Sequence, residues 1–265
     1  MTDKTNIIYI PHGGGPFPLI DEANNRNLNT YLRSIPQTLE RPDAIIVISA
    51  HWEASVVSIT AAANPPLLFD YYGFPPEAYE FEYPAPGHPK LAGRIAELLA
   101  KAGIESKLDD QRGLDHGVFV PMLLMYPQAD IPCIQISLCD SLDAGLHVSI
   151  GEALSALSSE NILILGSGFS FHNMPALIRG QTDDDPKNLA FEQWLAQTCC
   201  DGSLSEENRK QRLVNWEQAP SARYCHPREE HLLPLQVCYG IAGGPAVLDY
   251  QNATVNNIVS SAYRW

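Results

Sequence analysis

The sequence predicts an α/β fold, a single domain with a mostly parallel central sheet flanked by helices. Three observations carry that expectation. Short unbroken apolar runs at Ile7–Ile10, Ala44–Ile48 and Ile162–Leu165 read as strands buried on both faces, as a sheet covered by helices requires. Segments with helical spacing, such as Pro89–Ala102, lie between such runs. The 265 residues are 45% hydrophobic, enough for one substantial core, and no internal repeat, linker or low-complexity stretch divides them. Residues 1–265 are therefore read as one domain.

Taken in order, residues 6–10 form the first strand, and His12-Gly-Gly-Gly-Pro16 is a turn whose glycines let backbone approach a ligand closely. No Gly-Lys-Ser/Thr follows, so this is no phosphate-binding loop. Asn25–Ser34 starts a helix. The second strand, Ala44–Ile48, stops at Ser49 and Ala50, just before His51-Trp52-Glu53. Val56–Ala61 is a further strand. Asn64 to Pro89, rich in proline and aromatics, suits no regular element. It is either a functional loop lining a pocket for a planar ligand or a loop packed on the core by its own side chains. Pro89–Ala102 places Leu91, Ile95, Leu98 and Leu99 on one helical face, capped by Gly103. A polar cluster, Arg112–Pro121, precedes the apolar stretch Met122–Tyr126. Then come a strand at Ile131–Leu138, an amphipathic helix at Ala144–Ser158 and the strand Ile162–Leu165. Asp183-Asp184-Asp185 reads as a solvated turn. Helices at Leu189–Cys199, Glu206–Trp216 and Leu232–Gly240 and late strands at Val247–Tyr250 and Asn257–Tyr263 complete the chain.

The net charge of −14 argues against non-specific binding to nucleic acid or anionic membrane. The N-terminus has no basic stretch followed by a long apolar one, and no apolar run is long enough to span a bilayer. Six scattered cysteines without Cys-x-x-Cys spacing read as reduced thiols, so the expected location is cytoplasmic. Oligomeric state is not legible.

The histidines carry the chemistry. His12 and His51 each follow a buried strand, and Ile162–Leu165 runs through Gly166-Ser167-Gly168 toward His172. If these strands are parallel, the three imidazoles share the sheet edge where open α/β folds bind ligands. Imidazole ligands suit zinc, iron, copper or nickel, and three of them leave a coordination position open. His116, beside Asp115 and Gly117, is a candidate for proton transfer. His226 and His231 are spaced i, i+5, too far round a helix to share a face, so at most one reaches the same metal. Glu229 and Glu230 compete as ligands or accept an imidazole N–H. His88 and His147 are read as ordinary hydrogen-bonded histidines. Gly166-Ser167-Gly168 lacks the spacing of a nucleophile elbow, which argues against a serine hydrolase.

Five ordered motifs, His12-Gly-Gly-Gly-Pro16, Ile48-Ser-Ala-His51-Trp-Glu53, Gly113-Leu-Asp-His116-Gly, Ser167-Gly-Phe-Ser-Phe-His172-Asn173 and Pro227-Arg-Glu-Glu-His231-Leu-Leu-Pro-Leu235, run nearly end to end. In these the chain resembles the class III extradiol ring-cleavage dioxygenases of the LigB-like superfamily, in the 4,5-DOPA dioxygenase-like subgroup. The resemblance implies that His12, His51 and His231 hold a metal, that His172 is a further ligand or an acid/base residue, and that His116 contacts substrate. His226 lies outside the shared motif and is expected as a pocket residue. Fe(II) is expected for activity, with Zn(II) as an alternative bound metal. The implied partners are a catechol and O2, and an imidazole, His172 or His116, would accept a phenolic proton. Two other readings stand beside it: a zinc-dependent hydrolase on the same scaffold and a non-catalytic metal-binding homologue.

Overall fold

The computed structural model describes residues 6–179, 185–253 and 258–265, and eight strands in them share one sheet. The strands are β1 (Ile7–Pro11), β2 (Ala44–Ala54), β3 (Val57–Thr60), β4 (Ser106–Asp109), β5 (Cys133–Cys139), β6 (Ile162–Gly168), β7 (Val247–Ala253) and β8 (Val259–Arg264). Their order is β4-β3-β5-β2-β6-β1-β8-β7. The central four, β5, β2, β6 and β1, are mutually parallel, whereas β3 and β8 pair antiparallel to β5 and β1. The fold is thus a single α/β domain around a mostly parallel sheet.

Ten helices flank it: α1 (Phe17–Ile20), α2 (Arg26–Ser34), α3 (Pro89–Lys101), α4 (His116–Met125), α5 (Ala144–Ala153), α6 (Met174–Arg179), α7 (Pro186–Cys200), α8 (Glu206–Val214), α9 (Ala222–Cys225) and α10 (Leu233–Ala242). Alternation along the strands divides the core. Ile7, Tyr9, Ile46, Ile48, Ile134, Ile136 and Ile164 face a cluster built with α3, α5, α7, α8 and α10. Ile8, Ile10, Ile45, Val47, Leu163 and Leu165 face the opposite cluster, built with α2, α4 and the loop before α3. Both faces are buried, which is why the strands read as continuous apolar runs.

Several expectations shift. Ser49 and Ala50 do not end the second strand. β2 continues through His51 to Ala54, and its pairing with β5 slips between Ile48 and Glu53, so that His51 sits on a bulged stretch. The segment from His116 to Met125 is a helix rather than a cluster followed by an undefined run. Every residue of α4 but Leu123 is buried, so it has no polar face to give it helical periodicity. The expected helix Ala144–Ser158 is α5 followed by a 3-10 turn at Ser155–Ser159. Of the acidic run, Asp183 and Asp184 lie outside the described residues. Asp185 is not solvated: it is buried and accepts from the Lys187 amide at 2.9 Å as the N-cap of α7. Asn257 also lies outside the described residues.

At the other end of α7, the Arg209 side chain is fully buried. Its Nη1 donates to the carbonyls of Thr198 and Cys199, its Nη2 to those of Asp201 and Leu204, and its Nε to Glu206 at 3.1 Å. One guanidinium thereby bonds carbonyls at and just beyond the helix end, of which those of Cys199 and Asp201 also accept from the Ala246 and Leu204 amides. All six cysteines are free thiols. Among the described residues no helix is long and apolar enough to cross a membrane.

Candidate metal centre

β2, β6 and β1 are adjacent and parallel, so their C-terminal ends lie at one edge of the sheet. His12 follows β1, with its amide held by the Gly168 carbonyl at 3.1 Å. The chain then turns sharply: Gly13 has φ 86° and Gly15 φ 55°, a region that side chains avoid. His51 comes from the bulge of β2, His116 opens α4, His172 follows β6, and His231 immediately precedes α10.

Five imidazoles converge here. Ring centroids lie 4.8 Å apart for His12–His51, 5.4 Å for His12–His116, 5.3 Å for His12–His231 and 3.8 Å for His51–His116. His172 stacks on His231 at 3.4 Å. The nitrogens of His51 and His231 that face each other, both Nε2, are 3.2 Å apart. Two adjoining donor groups, with no residue in common, result. His12, His51 and His116 offer nitrogens within 4.8 Å of one another, as do His172, His231 and the Glu230 carboxylate.

Carboxylates orient the rings. Glu230 accepts from His231 Nδ1 at 2.9 Å and from His172 Nδ1 at 3.0 Å. Asp70 accepts from His116 Nδ1 at 2.7 Å and from the His116 amide at 3.0 Å, and its other oxygen lies 3.6 Å from His51 Nδ1. A carboxylate only accepts, so His231, His172 and His116 carry a proton on Nδ1, which leaves Nε2 as the nitrogen turned toward the cavity chemistry. Among the described residues neither ring nitrogen of His12 has a hydrogen-bond partner, although both are buried.

The electrostatics favour the neutral form of His12, His51 and His231. Burial first, then the neighbouring imidazoles, push His12 and His51 well below the ordinary histidine value. His231 falls to about 3, through burial and His172 and against Glu230. Burial works against ionisation of Glu230 and Asp70, but their histidine hydrogen bonds outweigh it and both stay below the usual carboxylate range. Neutral imidazoles with bare nitrogens, an orphaned buried His12, and an Nε2–Nε2 separation near the ~3.3 Å edge of a tetrahedron with ~2.0 Å bonds fit a bound cation. The donor set could hold iron or zinc.

The remaining candidates go elsewhere. His226 does not line this cavity. It is fully buried between Phe191 and Trp216, with Nε2 2.8 Å from the Ser170 carbonyl. Burial lowers its pKa to about 3. Its neutral form is the folded one, whereas the unfolded chain takes a proton near ~6.5. Its stabilising effect is therefore complete above that value and declines as pH falls toward 3. The thermal midpoint is expected to drop between pH 7.5 and 5, and His226→Gln should show a smaller drop in the same melts. His147 Nε2 accepts from the Cys139 amide and His88 Nδ1 from the Leu91 amide, both structural roles. Asp115 does not orient His116: it is bonded by Ser49 at 2.8 Å, Arg112 and Gln135. Sequence reasoning missed Asp70, since an acid inside an aromatic loop carries no spacing signal.

Above the imidazoles lies a cavity of about 530 Å³. The long loop before α3 serves both of its expected roles. Tyr71, Tyr72 and Phe74 line the cavity, while Phe69 and Phe81 pack near Phe119 and Tyr83 is buried in the core. The His231 carbonyl is fixed from two sides, by Tyr9 Oη at 2.8 Å and the Phe169 amide at 3.0 Å. A Cβ on Gly168 would sit 2.1 Å from that oxygen, so only glycine permits the approach.

Residues 6–263 match the family described as the catalytic LigB subunit of aromatic ring-opening dioxygenase. The chain is 40% identical to dioxygenase tasH of Hapsidospora irregularis, over 89% of this chain and 78% of that protein. It is 39% identical to the 4,5-DOPA dioxygenase extradiol of Beta vulgaris, over 92% and 90%, and 35% identical to that of Escherichia coli K12, over 89% and 85%. The crystal structure of an uncharacterized protein from Escherichia coli K12 superposes with a TM-score of 0.78 at 30% identity, covering 97% of each chain.

Proposed function

Because the chain belongs to the LigB family of aromatic ring-opening dioxygenases, we propose that it is an Fe(II)-dependent extradiol dioxygenase that opens the ring of a catechol with O2. The observation that carries this reading is the convergence of five imidazoles, three of them with Nδ1 engaged by a carboxylate, at the floor of one cavity. His12, His51 and His231 are the metal ligands. Fe(II) bound there supplies the one-electron chemistry with O2 that a closed-shell organic ring cannot undergo alone, and that zinc cannot provide.

The chain's own residues do the rest. Glu230 fixes His231 and His172 in one tautomer, and Asp70 does so for His116. The Nε2 of His116 or His172 accepts the proton a catechol hydroxyl must lose and returns it to the opening product. The aromatic walls hold the ring plane and exclude water. Loading with Fe(II) under argon, then mixing catechols in air, is expected to give oxygen uptake with a yellow ring-fission product, and no uptake with zinc. Hydrolysis without oxygen uptake would overturn the proposal in favour of a hydrolase. Asp70→Asn is expected to lower kcat by roughly 10- to 100-fold, with metal content and KM little changed. Steady-state kinetics with metal analysis check this.

A further inference from the structure

The cavity also constrains which catechol enters. Its rim is apolar: Phe17, Tyr72, Phe74, Met174, Leu177 and Ile178 stand around the imidazole floor. Nine large apolar side chains are exposed among the described residues, and four of them, Phe17, Tyr72, Met174 and Ile178, belong to this rim. Ile178 is 76% and Tyr72 92% exposed. Apolar surface gathered at the mouth of a cavity marks a place where something apolar is covered.

The charge pattern points the same way. Among the described residues no lysine or arginine lines the cavity, and its one carboxylate is Asp70. Arg179, next to Ile178 in α6, is not among the lining residues and donates its Nε to the Pro175 carbonyl, and the arginines in or beside the other site motifs are occupied. Arg112 bonds Asp115 and the His51 carbonyl and lies over Trp52, Arg223 bonds Glu217 and Glu229, and Arg228 bonds Glu53 and Glu230. A carboxylate on the ring substituent would lose water at the rim without gaining a cation, and would face Asp70.

On the basis of the ring-opening reading, we infer that this site selects catechols whose ring substituent is uncharged and apolar, and disfavours those bearing a carboxylate. Anaerobic calorimetric titration of the Fe(II)-loaded protein tests it with catechol, 4-propylcatechol and 3,4-dihydroxyphenylacetate, the last two being similar in size. The propyl compound is expected to bind roughly tenfold or more tightly than catechol, as burial of three carbons allows. The acetate is expected to bind no more tightly than catechol. Ile178→Arg, which places a cation at the exposed rim, should narrow the gap between propyl and acetate by about tenfold. Equal or tighter binding of the acetate by the unaltered protein overturns this inference while leaving ring opening intact. Binding of none of the three, with iron present, removes the ring-opening reading and this inference with it.

Discussion

His51→Ala is expected to yield a folded protein that holds no stoichiometric metal and turns over catechol about a thousandfold or more slowly than the unaltered protein. His51 is the hinge of the donor set. Its ring lies 3.8 Å from that of His116, 4.8 Å from that of His12, and its Nε2 is 3.2 Å from that of His231. On the proposed ligand set, removing it would leave His12 and His231 as a two-nitrogen site, one short of what a catalytic metal needs. The fold should tolerate the change, because the His51 side chain is 22% exposed at the cavity floor and fills no closed core space. Metal content after desalting, oxygen uptake and circular dichroism report the three parts separately. A variant that keeps stoichiometric iron and activity would remove His51 from the ligand set.

Arg209→Met is expected to cost about 3–5 kcal/mol of stability, measured as a lower urea midpoint, while the folded fraction keeps its activity. The guanidinium is enclosed, and its donors serve four backbone carbonyls and Glu206. Methionine matches the length of the stem but donates nothing, so the Thr198 and Leu204 carbonyls lose their side-chain donor, while those of Cys199 and Asp201 keep the Ala246 and Leu204 amides. None of the partners of Arg209 lines the cavity, whose imidazoles come from β1, β2, β6, α4 and the turn before α10, so catalysis should be spared. A midpoint within error of the unaltered protein would show that water replaces the guanidinium at those carbonyls.

The sheet was legible because its strands are apolar on both faces, and the reading of His12, His51 and His172 at one edge rested on that alone. The bulge in β2 was not legible, since Ser49 and Ala50 resemble a strand end and only the slipped register with β5 shows that the strand goes on. α4 was hidden for the opposite reason: a helix buried on every side has no contrasting face. His226, expected as a pocket residue although it lies outside the shared motif, packs instead between Phe191 and Trp216. Asp70 was invisible because its role depends on the long loop folding back against the start of α4, a contact between residues 46 positions apart.

The Tyr9 hydroxyl and the Phe169 amide both grip the His231 carbonyl, and that ties a segment near the end of the polypeptide to strands from its beginning and middle. A growing chain on the ribosome therefore has no complete ligand cluster until more than four-fifths of it has been made. On the proposed reading, a metal ion would be captured only after the last helix has docked, and would then act as a clasp between distant parts of the polypeptide. Resistance to heat and to proteases should accordingly rise with iron supply, through the mass-action gain that any native-state ligand confers.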